Sequence, residues 1–329
     1  MFETLIAADV GSSVTRLAVR NAVSENETRA ALDPEDTRRV LAVGNEARKL
    51  LNTAEAYPVR GGGIADVSLA AIMLRRFALD LLKRRPLFGA SLVLAVPLAA
   101  NPLSRAAALE AGREAGFRRV GVIDSLIAGA EGAGLDYSGS GARMLVDVGR
   151  DSVKTAIFAS GGLIRETFSP FGSSAADRAI RDRLARETRL IIGSRTAERI
   201  KKSLAAPLVR VCGRDLKTGL PATKDIPTAS LRQAADGFAE ELSREIVAAI
   251  SSVHPEAASD LVDSGVTLTG GGALLFGLGS ALEERLGIPV SIAQNAESAV
   301  IDGLVRQLRR AAAQNLSELT ARAKASGTI

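Results

Sequence analysis

Residues Met144–Phe158 read MLVDVGRDSVKTAIF, and this stretch decides the fold of the chain. An apolar run ends at Asp147, a glycine follows, and a polar tip at Arg150-Asp151-Ser152 leads into a second apolar, β-branched run. Two such runs joined by a short glycine-bearing turn predict a β-hairpin. The tip can direct backbone N–H groups at an anion, and the carboxylate can hold a hydrated cation, although many hairpins carry Asp and Gly for turn geometry alone.

A second copy of this pattern lies near the N-terminus. An apolar run at Leu5–Ala8 leads into Asp9-Val10-Gly11. Ser12-Ser13 then forms the polar tip, and Thr15–Val19 returns as a strand. Two copies of the same pattern, an apolar run followed by Asp-Val-Gly, a polar tip and a strand, suggest an internal duplication. We therefore expect two hairpins that face each other across a cleft.

The composition is that of an ordinary globular protein, and it narrows the possible functions. With 329 residues, 47% of them hydrophobic, the chain is long enough for two lobes with separate cores. A net charge of +5 suits a cytoplasmic protein, and it falls short of a nucleic-acid-binding composition. Aromatic residues make up 3% of the chain and tryptophan is absent from the sequence, so platforms for base stacking are not expected.

Cysteine and histidine offer little chemistry in this chain. The single cysteine, Cys212, excludes an internal disulfide and fits a reducing compartment. The single histidine, His254, does not support histidine metal clusters or Ser-His-Asp catalysis, and its Ser-Val-His-Pro context predicts a loop or capping role. We see no secretory signal, and no apolar run reaches the ~20 residues that a membrane-spanning helix needs.

Alternating strands and helices up to residue 158 predict an α/β sheet with helices on both faces. We expect residues 21–39 to form a polar linker or an exposed turn region. A helix is predicted over Asn45–Leu51, with Asn45 at its cap. Ser194 is expected to cap the helix that follows it, and Leu231–Val253 carries apolar residues along one stripe of a long helix.

A glycine triplet forms the third notable stretch. The strand-like residues Val266–Thr269 run into Gly270–Gly272, and a helix is predicted from there through Leu286. Glycines let the backbone approach a ligand closely, and a helix N-terminus favours anions or polar edges. A tight strand-to-helix turn is the alternative, but such a turn rarely needs three consecutive glycines. We therefore expect ligand contact here.

The segment Lys83–Gly89 sets three cations beside an apolar pair. In one interpretation the cations compensate the dipole of the preceding helix, and Leu87 and Phe88 are half-buried loop residues. In the other, Leu87 and Phe88 dip into a bilayer while Arg84 and Arg85 meet anionic head groups. The residues alone favour the first interpretation.

Taken together, two Asp-Val-Gly hairpins and a strand-Gly-Gly-Gly-Ala-helix element resemble the actin, sugar-kinase and DnaK-type ATPase superfamily. The closer resemblance is to the MreB family of bacterial rod-shape-determining actins, and it covers nearly the whole chain. The motifs that carry it are LAVGNEA (41–47), GIAD (63–66), REAG (113–116), IGSRTAERIK (192–201), GRDLKTGLP (213–221) and LTGGGALL (268–275).

This resemblance implies an α/β fold of the actin/DnaK type, in which two lobes surround a nucleotide cleft and each lobe has a mixed sheet flanked by helices. The implied division is a lobe I core (IA) at 1–20, 65–142 and 303–329, a small subdomain IB at 21–64, a lobe II core (IIA) at 143–178 and 237–302, and an inserted subdomain IIB at 179–236. IB is expected to be altered, because the family's Asn-Glu-Pro-Ser run is absent from the sequence of this chain.

The resemblance also implies a site for ATP and Mg²⁺. The carboxylates that hold hydrated Mg²⁺ would be Asp9 and Asp147. The implied nucleotide-binding residues are Gly11, Ser12, Ser13 and Val14 in the first phosphate loop, Gly149, Arg150, Asp151 and Ser152 in the second, Glu198, Arg199, Ile200 and Lys201 on the ribose and adenine side, and Gly270, Gly271, Gly272, Ala273 and Leu274 over the base. The segment with Leu87 and Phe88 falls where family members carry a hydrophobic membrane loop, and this favours the membrane interpretation of Arg84 and Arg85.

The chain departs from the family pattern at the phosphates. Val14 replaces an asparagine, and Arg150 and Asp151 stand where the second loop usually has glycines, so Asp151 adds negative charge near the phosphates. The family's water-positioning glutamate is replaced by Ser125, and a hydroxyl is a poor base. Asp124 is the remaining candidate to act through a water. Nucleotide binding is therefore expected, whereas hydrolysis is expected to be slow or lost.

Three functions follow as alternatives. The first is an ATP-binding, membrane-associated cytoskeletal protein that forms filaments with itself under the cytoplasmic membrane, determines cell shape and guides peptidoglycan synthesis with the cell-wall elongation machinery. The second is a scaffold of the same fold that neither binds nucleotide nor polymerises. The third is a small-molecule kinase of the superfamily, for which no catalytic base stands out. Nucleic acid is not an expected partner.

Overall fold

The computed structural model describes residues 4–20, 22–83, 89–97 and 102–311, and the chain divides into two units. Unit 1 comprises residues 1–135 and 298–329, and unit 2 comprises residues 136–297. Unit 1 is therefore discontinuous in sequence, since its last segment follows the whole of unit 2. The finer division into four subdomains stays a prediction.

Unit 1 is built around a mixed five-stranded sheet in the order β10-β9-β1-β2-β3. Its strands and helices are, in chain order, β1 (Thr4–Val10), β2 (Val14–Val19), β3 (Ala22–Glu27), β4 (Ala30–Leu32), β5 (Val40–Val43), β6 (Ala54–Ala56), β7 (Val59–Arg60), β8 (Gly63–Ile64), α1 (Val67–Leu82), β9 (Ala90–Val96), α2 (Pro102–Glu114), β10 (Arg119–Asp124) and α3 (Ser125–Ala133). Strand β1 pairs antiparallel with β2 and parallel with β9, and β10 continues the parallel side. The first predicted hairpin is confirmed.

Unit 2 repeats this arrangement with a second mixed five-stranded sheet, in the order β13-β12-β11-β17-β18. Its elements are β11 (Arg143–Val148), β12 (Val153–Ala159), β13 (Gly162–Ser169), α4 (Ser174–Thr188), β14 (Leu190–Ile191), α5 (Ser194–Lys202), β15 (Leu208–Asp215), β16 (Pro221–Pro227), α6 (Thr228–Ile250), α7 (Pro255–Ser264), β17 (Val266–Thr269), α8 (Leu278–Leu286) and β18 (Val290–Ile292). Strands β14, β15 and β16 form a separate three-stranded sheet. The central hairpin predicted from Met144–Phe158 is confirmed as β11 and β12.

Strand β1 shows how one sheet serves two cores. Successive side chains of a strand point to opposite faces. Ile6 and Ala8 accordingly lie in a core with residues of α1 and α2, whereas Ala7 lies in a second core with Ala128 of α3 and Leu304. The sheet of unit 1 therefore has helices on both faces, as the alternation of strands and helices predicts.

Four local predictions are wrong. Residues 21–39 are not a linker, because β3 and β4 lie there, and β3 pairs along its whole length with β2. The sequence of β3, AVSENE, conceals a strand because an edge strand can carry charged residues, with Glu25 exposed and Glu27 paired with Arg29 and Arg48. Asn45 caps no helix, since a short 3₁₀ turn, Ala47–Lys49, takes that place and Asn45 Oδ1 instead accepts the Glu27 N–H at 3.0 Å.

Ser194 likewise does not cap a helix: it is the first residue of α5, and Gly193 stands at the cap. Beyond β17, the glycines lead into a 3₁₀ turn, Gly271–Leu274, and α8 begins at Leu278. The predicted continuous helix is therefore wrong in its first turn. A loop or capping role is predicted for His254; the residue stands at the N-cap position of α7, but its side chain makes no capping hydrogen bond there.

Residues 299–311 form a helix, α9, that returns to unit 1. It crosses α3 so closely that a Cβ atom on Gly303 would overlap the Ala128 carbonyl group, and one on Gly132 would overlap that of Ala299. Gln307 Nε2 also donates to Glu131 Oε1 at 3.1 Å. Glycine is required at both crossings because no side chain fits between the two backbones.

Gly303→Ala is expected to destabilise the protein by about 3 kcal/mol, because the added methyl group must push α9 away from α3. Gly237→Ala is the matched control. Gly237 lies exposed in α6 with no atom near its missing Cβ, so alanine there should stabilise the protein by about 0.5–1 kcal/mol. Thermal or denaturant unfolding measures both. Equal stabilities for the two variants would contradict the close crossing.

Candidate functional site

The tip of the β11–β12 hairpin is a tight turn fixed to the start of α4. The Gly149 N–H donates to Ser152 O at 2.9 Å and closes the turn. The N–H groups of Ser173 and Ser174 then donate to Gly149 O and Arg150 O at 3.0 and 2.8 Å. The predicted second phosphate loop is therefore an ordered turn whose carbonyl groups are held by the beginning of a helix.

An ion pair closes the base of this hairpin. Asp147 and Lys154 stand directly opposite each other in the register, so their side chains share a face of the sheet. The Lys154 ammonium donates to Asp147 Oδ2 at 2.6 Å, and the two side chains are 14% and 9% exposed. The carboxylate predicted to hold hydrated Mg²⁺ is thus already bound to a cation of its own hairpin.

The glycine turn lies against the same carboxylate. Strand β17 runs parallel to β11 and sets Thr269 beside Asp147. Gly270 follows with φ +83°, and a Cβ atom there would lie 2.5 Å from Asp147 Oδ1. Gly270 therefore meets two demands that only glycine satisfies, a left-handed backbone and a close approach. The Thr269 hydroxyl is buried and has no hydrogen-bond partner.

The rest of the glycine turn offers an exposed surface. Gly271 and Leu274 are exposed, the latter by 54%, whereas Ala273 is fully buried in the core of unit 2. A Cβ atom on Gly271 would find only Glu297 within 4 Å, at ordinary contact distance. Of the five residues predicted to lie over a base, Gly271 and Leu274 are thus the ones with free surface.

Helix α5 adds charged side chains at the hairpin tip. Arg150 Nη1 lies 3.5 Å from Glu198 Oε2, and Arg150 Nε lies 3.9 Å from Asp151. The Lys201 ammonium lies 3.0 Å from Asp177 and 3.3 Å from Ser173 O. The predicted loop residues and the predicted ribose-side residues are therefore in direct contact within unit 2.

The other two residues of α5 that were predicted to bind nucleotide, Arg199 and Ile200, do not face the hairpin tip. Ile200 is fully buried in the apolar core and Arg199 is exposed. The Glu198 side chain reaches Arg150 at the tip, and Lys201 reaches Ser173 and Asp177 at the start of α4. This division follows from helix periodicity, since Ala197 and Ile200 share the buried face of α5.

Asp177 is a buried carboxyl group that the sequence patterns did not reveal. Burial raises its pKa, and the Lys201 ammonium opposes part of that shift. The nearby Glu198 carboxylate acts in the same direction as burial. The spacing of 24 residues between Asp177 and Lys201 gives no local signal of this contact.

The hairpin of unit 1 has a similar tip. The Gly11 N–H donates to Val14 O at 3.1 Å, and Ser13 O accepts the Thr28 N–H at 2.9 Å. Val14 is the first residue of β2, so its side chain continues the strand and supplies no polar group. The predicted first phosphate loop, including Ser12, is therefore a compact turn that β3 and the residue after it hold in place.

Asp9, the last residue but one of β1, and Asp124, the last residue of β10, lie at the carboxyl ends of parallel strands in the unit 1 sheet. Asp9 pairs with Ala95 of β9, and Asp124 pairs with Val96 of the same strand. Asp124 Oδ1 accepts the Leu126 N–H at 2.7 Å and the Ile127 N–H at 3.3 Å, so this carboxylate caps α3. The Ser125 hydroxyl beside it is buried without a hydrogen-bond partner.

The residues present fit a nucleotide better than they fit Mg²⁺ at Asp147. The exposed glycine turn and the half-buried Glu198 carboxylate lie near the hairpin tip and suit a base and a ribose hydroxyl. A hydrated cation on Asp147 would have to displace the Lys154 ammonium from Oδ2 or approach Oδ1, where Gly270 lies. Across the described part of the chain, no cluster of three or more His, Cys, Asp or Glu residues could hold a metal ion.

The predicted membrane residues Arg84, Arg85, Leu87 and Phe88 lie outside the described residues. Among the helices that the structure does describe, none is long and apolar enough to cross a bilayer.

Two mixed sheets with helices, each bearing an Asp-Val-Gly hairpin, define an actin-like protein. Solved structures agree. A crystal structure of MreB 5 of Spiroplasma citri bound to AMPPNP has a TM-score of 0.88 at 22% identity, over 97% of this chain and 99% of that one. The MamK double helical filament has a TM-score of 0.80 at 17% identity, over 94% and 99%. The actin-like fold predicted from the sequence is confirmed.

The chain belongs to the MreB/Mbl protein family, whose model matches residues 3–316. The cell shape-determining protein MreB of Escherichia coli (strain K12) is 30% identical over 323 residues, which cover 92% of each chain. The cell shape-determining protein Mbl of Bacillus subtilis (strain 168) is 28% identical over 317 residues, covering 92% of this chain and 95% of that one. This chain is accordingly an MreB-like, cell shape-determining actin homologue.

The Asp147–Lys154 pair predicts a strong energetic coupling. Asp147→Ala should destabilise the protein by about 3 kcal/mol, because it removes the carboxylate that the largely buried Lys154 ammonium binds at 2.6 Å. Lys154→Met should act similarly, and the double variant should recover about 2 kcal/mol relative to the sum of the single changes. A double-mutant cycle in denaturant measures this coupling.

The exposed pair Arg210–Asp225 is the control for that cycle. Its side chains are 73% and 56% exposed, so its coupling should not exceed about 0.5 kcal/mol. A coupling equally small for the buried pair would contradict the geometry of the hairpin base.

The raised pKa of Asp177 predicts a pH dependence of stability. The folded state binds this proton more tightly than the unfolded state, so the contribution is present at low pH and is lost as pH rises through the raised pKa. The free energy of unfolding of the wild type, relative to Asp177→Asn, should therefore fall over that range. Asp225 is the control, because its hydrogen bond with Arg210 lowers its pKa. The free energy of unfolding of the wild type, relative to Asp225→Asn, should therefore rise with pH. A pH-independent difference for Asp177→Asn would refute the assignment.

Proposed function

We propose that this chain is an ATP-binding filament protein that determines cell shape at the inner face of the cytoplasmic membrane. Membership of the MreB/Mbl family gives the cell-shape role. Nucleotide binding, self-association and membrane contact are the parts of the proposal that experiments must test.

One observation carries the nucleotide proposal. Within unit 2, the tip at Gly149–Ser152, the Glu198 side chain and the exposed turn Gly271–Leu274 lie around the end of one hairpin. Backbone N–H groups in a tight turn suit phosphate oxygens, a carboxylate suits ribose hydroxyls, and an exposed glycine backbone suits a flat purine. These three features together match the parts of ATP.

The relatives support the same ligand and an assembled state. The Spiroplasma citri MreB 5 structures are described as bound to AMPPNP and to ADP, and MamK is described as a double helical filament. We extend both properties to this chain: ATP is its proposed ligand, and its proposed first partner is a second copy of itself.

The proposal includes slow or absent hydrolysis. Asp124 is engaged with two backbone N–H groups as the cap of α3, so its Oδ1 is not a ready base. Ser125 supplies a hydroxyl, which accepts a proton poorly from an attacking water. ATP would then act mainly by binding, because no side chain identified at this position is suited to activate water.

The membrane and cell-wall parts of the proposal rest on sequence. Leu87 and Phe88, with Arg84 and Arg85 beside them, have the chemistry of a loop that inserts an apolar pair among anionic head groups. A filament held at the membrane in this way would guide peptidoglycan synthesis by the cell-wall elongation machinery.

A nucleotide-free scaffold is the second candidate, and the ion pairs favour it. Arg150 contacts Glu198, Lys201 contacts Asp177, and Asp147 contacts Lys154, so the charged side chains that could meet a nucleotide are already paired with one another. In that case the fold would persist as a binding partner for other morphogenetic proteins.

Gly271→Leu separates the two candidates. The added side chain would occupy the surface proposed for the purine, and the backbone of Gly271 has room for it. We expect ATP affinity to fall at least tenfold, about 1.4 kcal/mol, in isothermal titration calorimetry. Gly237→Leu, on the exposed face of α6, is the control and should bind like the wild type.

Sedimentation with and without ATP and anionic vesicles completes the test. The proposal expects pelleting with vesicles and assembly that depends on ATP. A folded wild type that binds no nucleotide would reject the ATP proposal in favour of the scaffold. Failure to pellet under any condition would reject the filament and membrane proposals.

A further inference from the structure

Both hairpins set a cation opposite the aspartate at the end of the first strand. In unit 2 the register opposes Asp147 to Lys154, and in unit 1 it opposes Asp9 to Arg16. Directly opposed residues of an antiparallel pair project on the same face, within reach of each other. Each hairpin therefore offers its carboxylate a counter-ion from the returning strand.

The strand next to each hairpin, β3 in unit 1 and β13 in unit 2, places a different residue opposite that cation. In unit 1, Arg16 stands opposite Glu25 of β3 and binds it, with Arg16 Nη2 2.8 Å from Glu25 Oε2. In unit 2 the residue of β13 opposite Lys154 is Phe168, which has no carboxylate to offer. The Lys154 ammonium binds Asp147 instead, at 2.6 Å. At this cross-strand position unit 1 has a carboxylate, Glu25, and unit 2 has an apolar ring, Phe168.

The position of Lys154 matters because it follows the proposed phosphate loop. Only one residue, Val153, separates Lys154 from the tip residue Ser152. The Lys154 ammonium is a positive charge, and its bond to Asp147 holds it in one position. Lys154 therefore brings a fixed positive charge to the side of the hairpin where a nucleotide's phosphates would need one.

A divalent cation and this ammonium compete for the same place. Both neutralise Asp147, and both are attracted by phosphate oxygens, so like-charge repulsion disfavours having them together at short range. Asp147 and Lys154 are 9% and 14% exposed, so solvent screens that repulsion weakly.

We propose that Lys154 replaces the divalent cation, so that this chain binds its nucleotide without a requirement for Mg²⁺. The inference rests on the proposed nucleotide function and concerns the same site. It states that a side chain of β12 supplies the positive charge, and that Asp147 holds that side chain in place.

The test is a titration of the full chain with ATP in two buffers, one with MgCl₂ and one with EDTA. We expect the wild type to bind ATP with dissociation constants that agree within about threefold, since 0.6 kcal/mol corresponds to that factor. In a separate thermal unfolding experiment without ATP, MgCl₂ should cause no saturable shift of the unfolding midpoint.

Three variants assign the effect to Lys154. Lys154→Met should lose at least tenfold in ATP affinity in EDTA and regain part of it with MgCl₂, because Asp147 is then open to a cation. Lys154→Arg keeps a cation and should stay independent of Mg²⁺. Lys217→Met removes the same charge from an exposed position of unit 2 and should match the wild type.

The outcomes distinguish this inference from the function on which it rests. Wild-type binding that is lost in EDTA and restored by MgCl₂ overturns the role of Lys154 and leaves nucleotide binding intact. Binding in neither buffer overturns the proposed function itself. Should Lys154→Met fail to fold, the wild-type titration in EDTA and the Lys154→Arg variant still decide the question.

Discussion

The register across a four-residue hairpin tip is the constraint on which the site depends. Because Val148 opposes Val153, Asp147 must oppose Lys154, and the charges meet at the end of the strand. The parallel neighbour β17 then brings Gly270 against the same carboxylate. A shift of one residue would turn Lys154 to the other face of the sheet and leave a buried carboxylate without its cation.

Local patterns in the sequence were sufficient for the two hairpins, for strand β17 before the glycines, and for the family. They were insufficient for side chains that meet through pairing or tertiary contact. Lys154 lies within the stretch that defines the fold, yet its contact with Asp147 becomes evident only when the register of the hairpin is known. Asp177 and Lys201 are separated by 24 residues, and Arg150 and Glu198 by 48, so no spacing rule links them. Strand β3 was missed because its charged residues are typical of loops.

The charged groups around the unit 2 hairpin are paired with one another. Four acidic side chains, those of Asp147, Asp151, Asp177 and Glu198, each lie within 4.0 Å of a basic one. Asp147 and Asp177 are buried, so the loss of the cation beside either carboxylate would be costly. The proposed nucleotide would therefore not enter an open positive site. It would have to exchange partners with carboxylates already in place, such as Glu198 beside Arg150.

The helix crossing between α3 and α9 has a consequence for biosynthesis. Unit 2 is continuous in sequence, whereas unit 1 waits for residues 299–311, which supply Ile301 and Leu304 to one of its two cores. On the ribosome, unit 2 can close while unit 1 still exposes the alanine-rich face of its sheet. Nascent chains that stall before α9 emerges are thus the species that chaperones must shield, and Gly303 governs the step that ends this exposure.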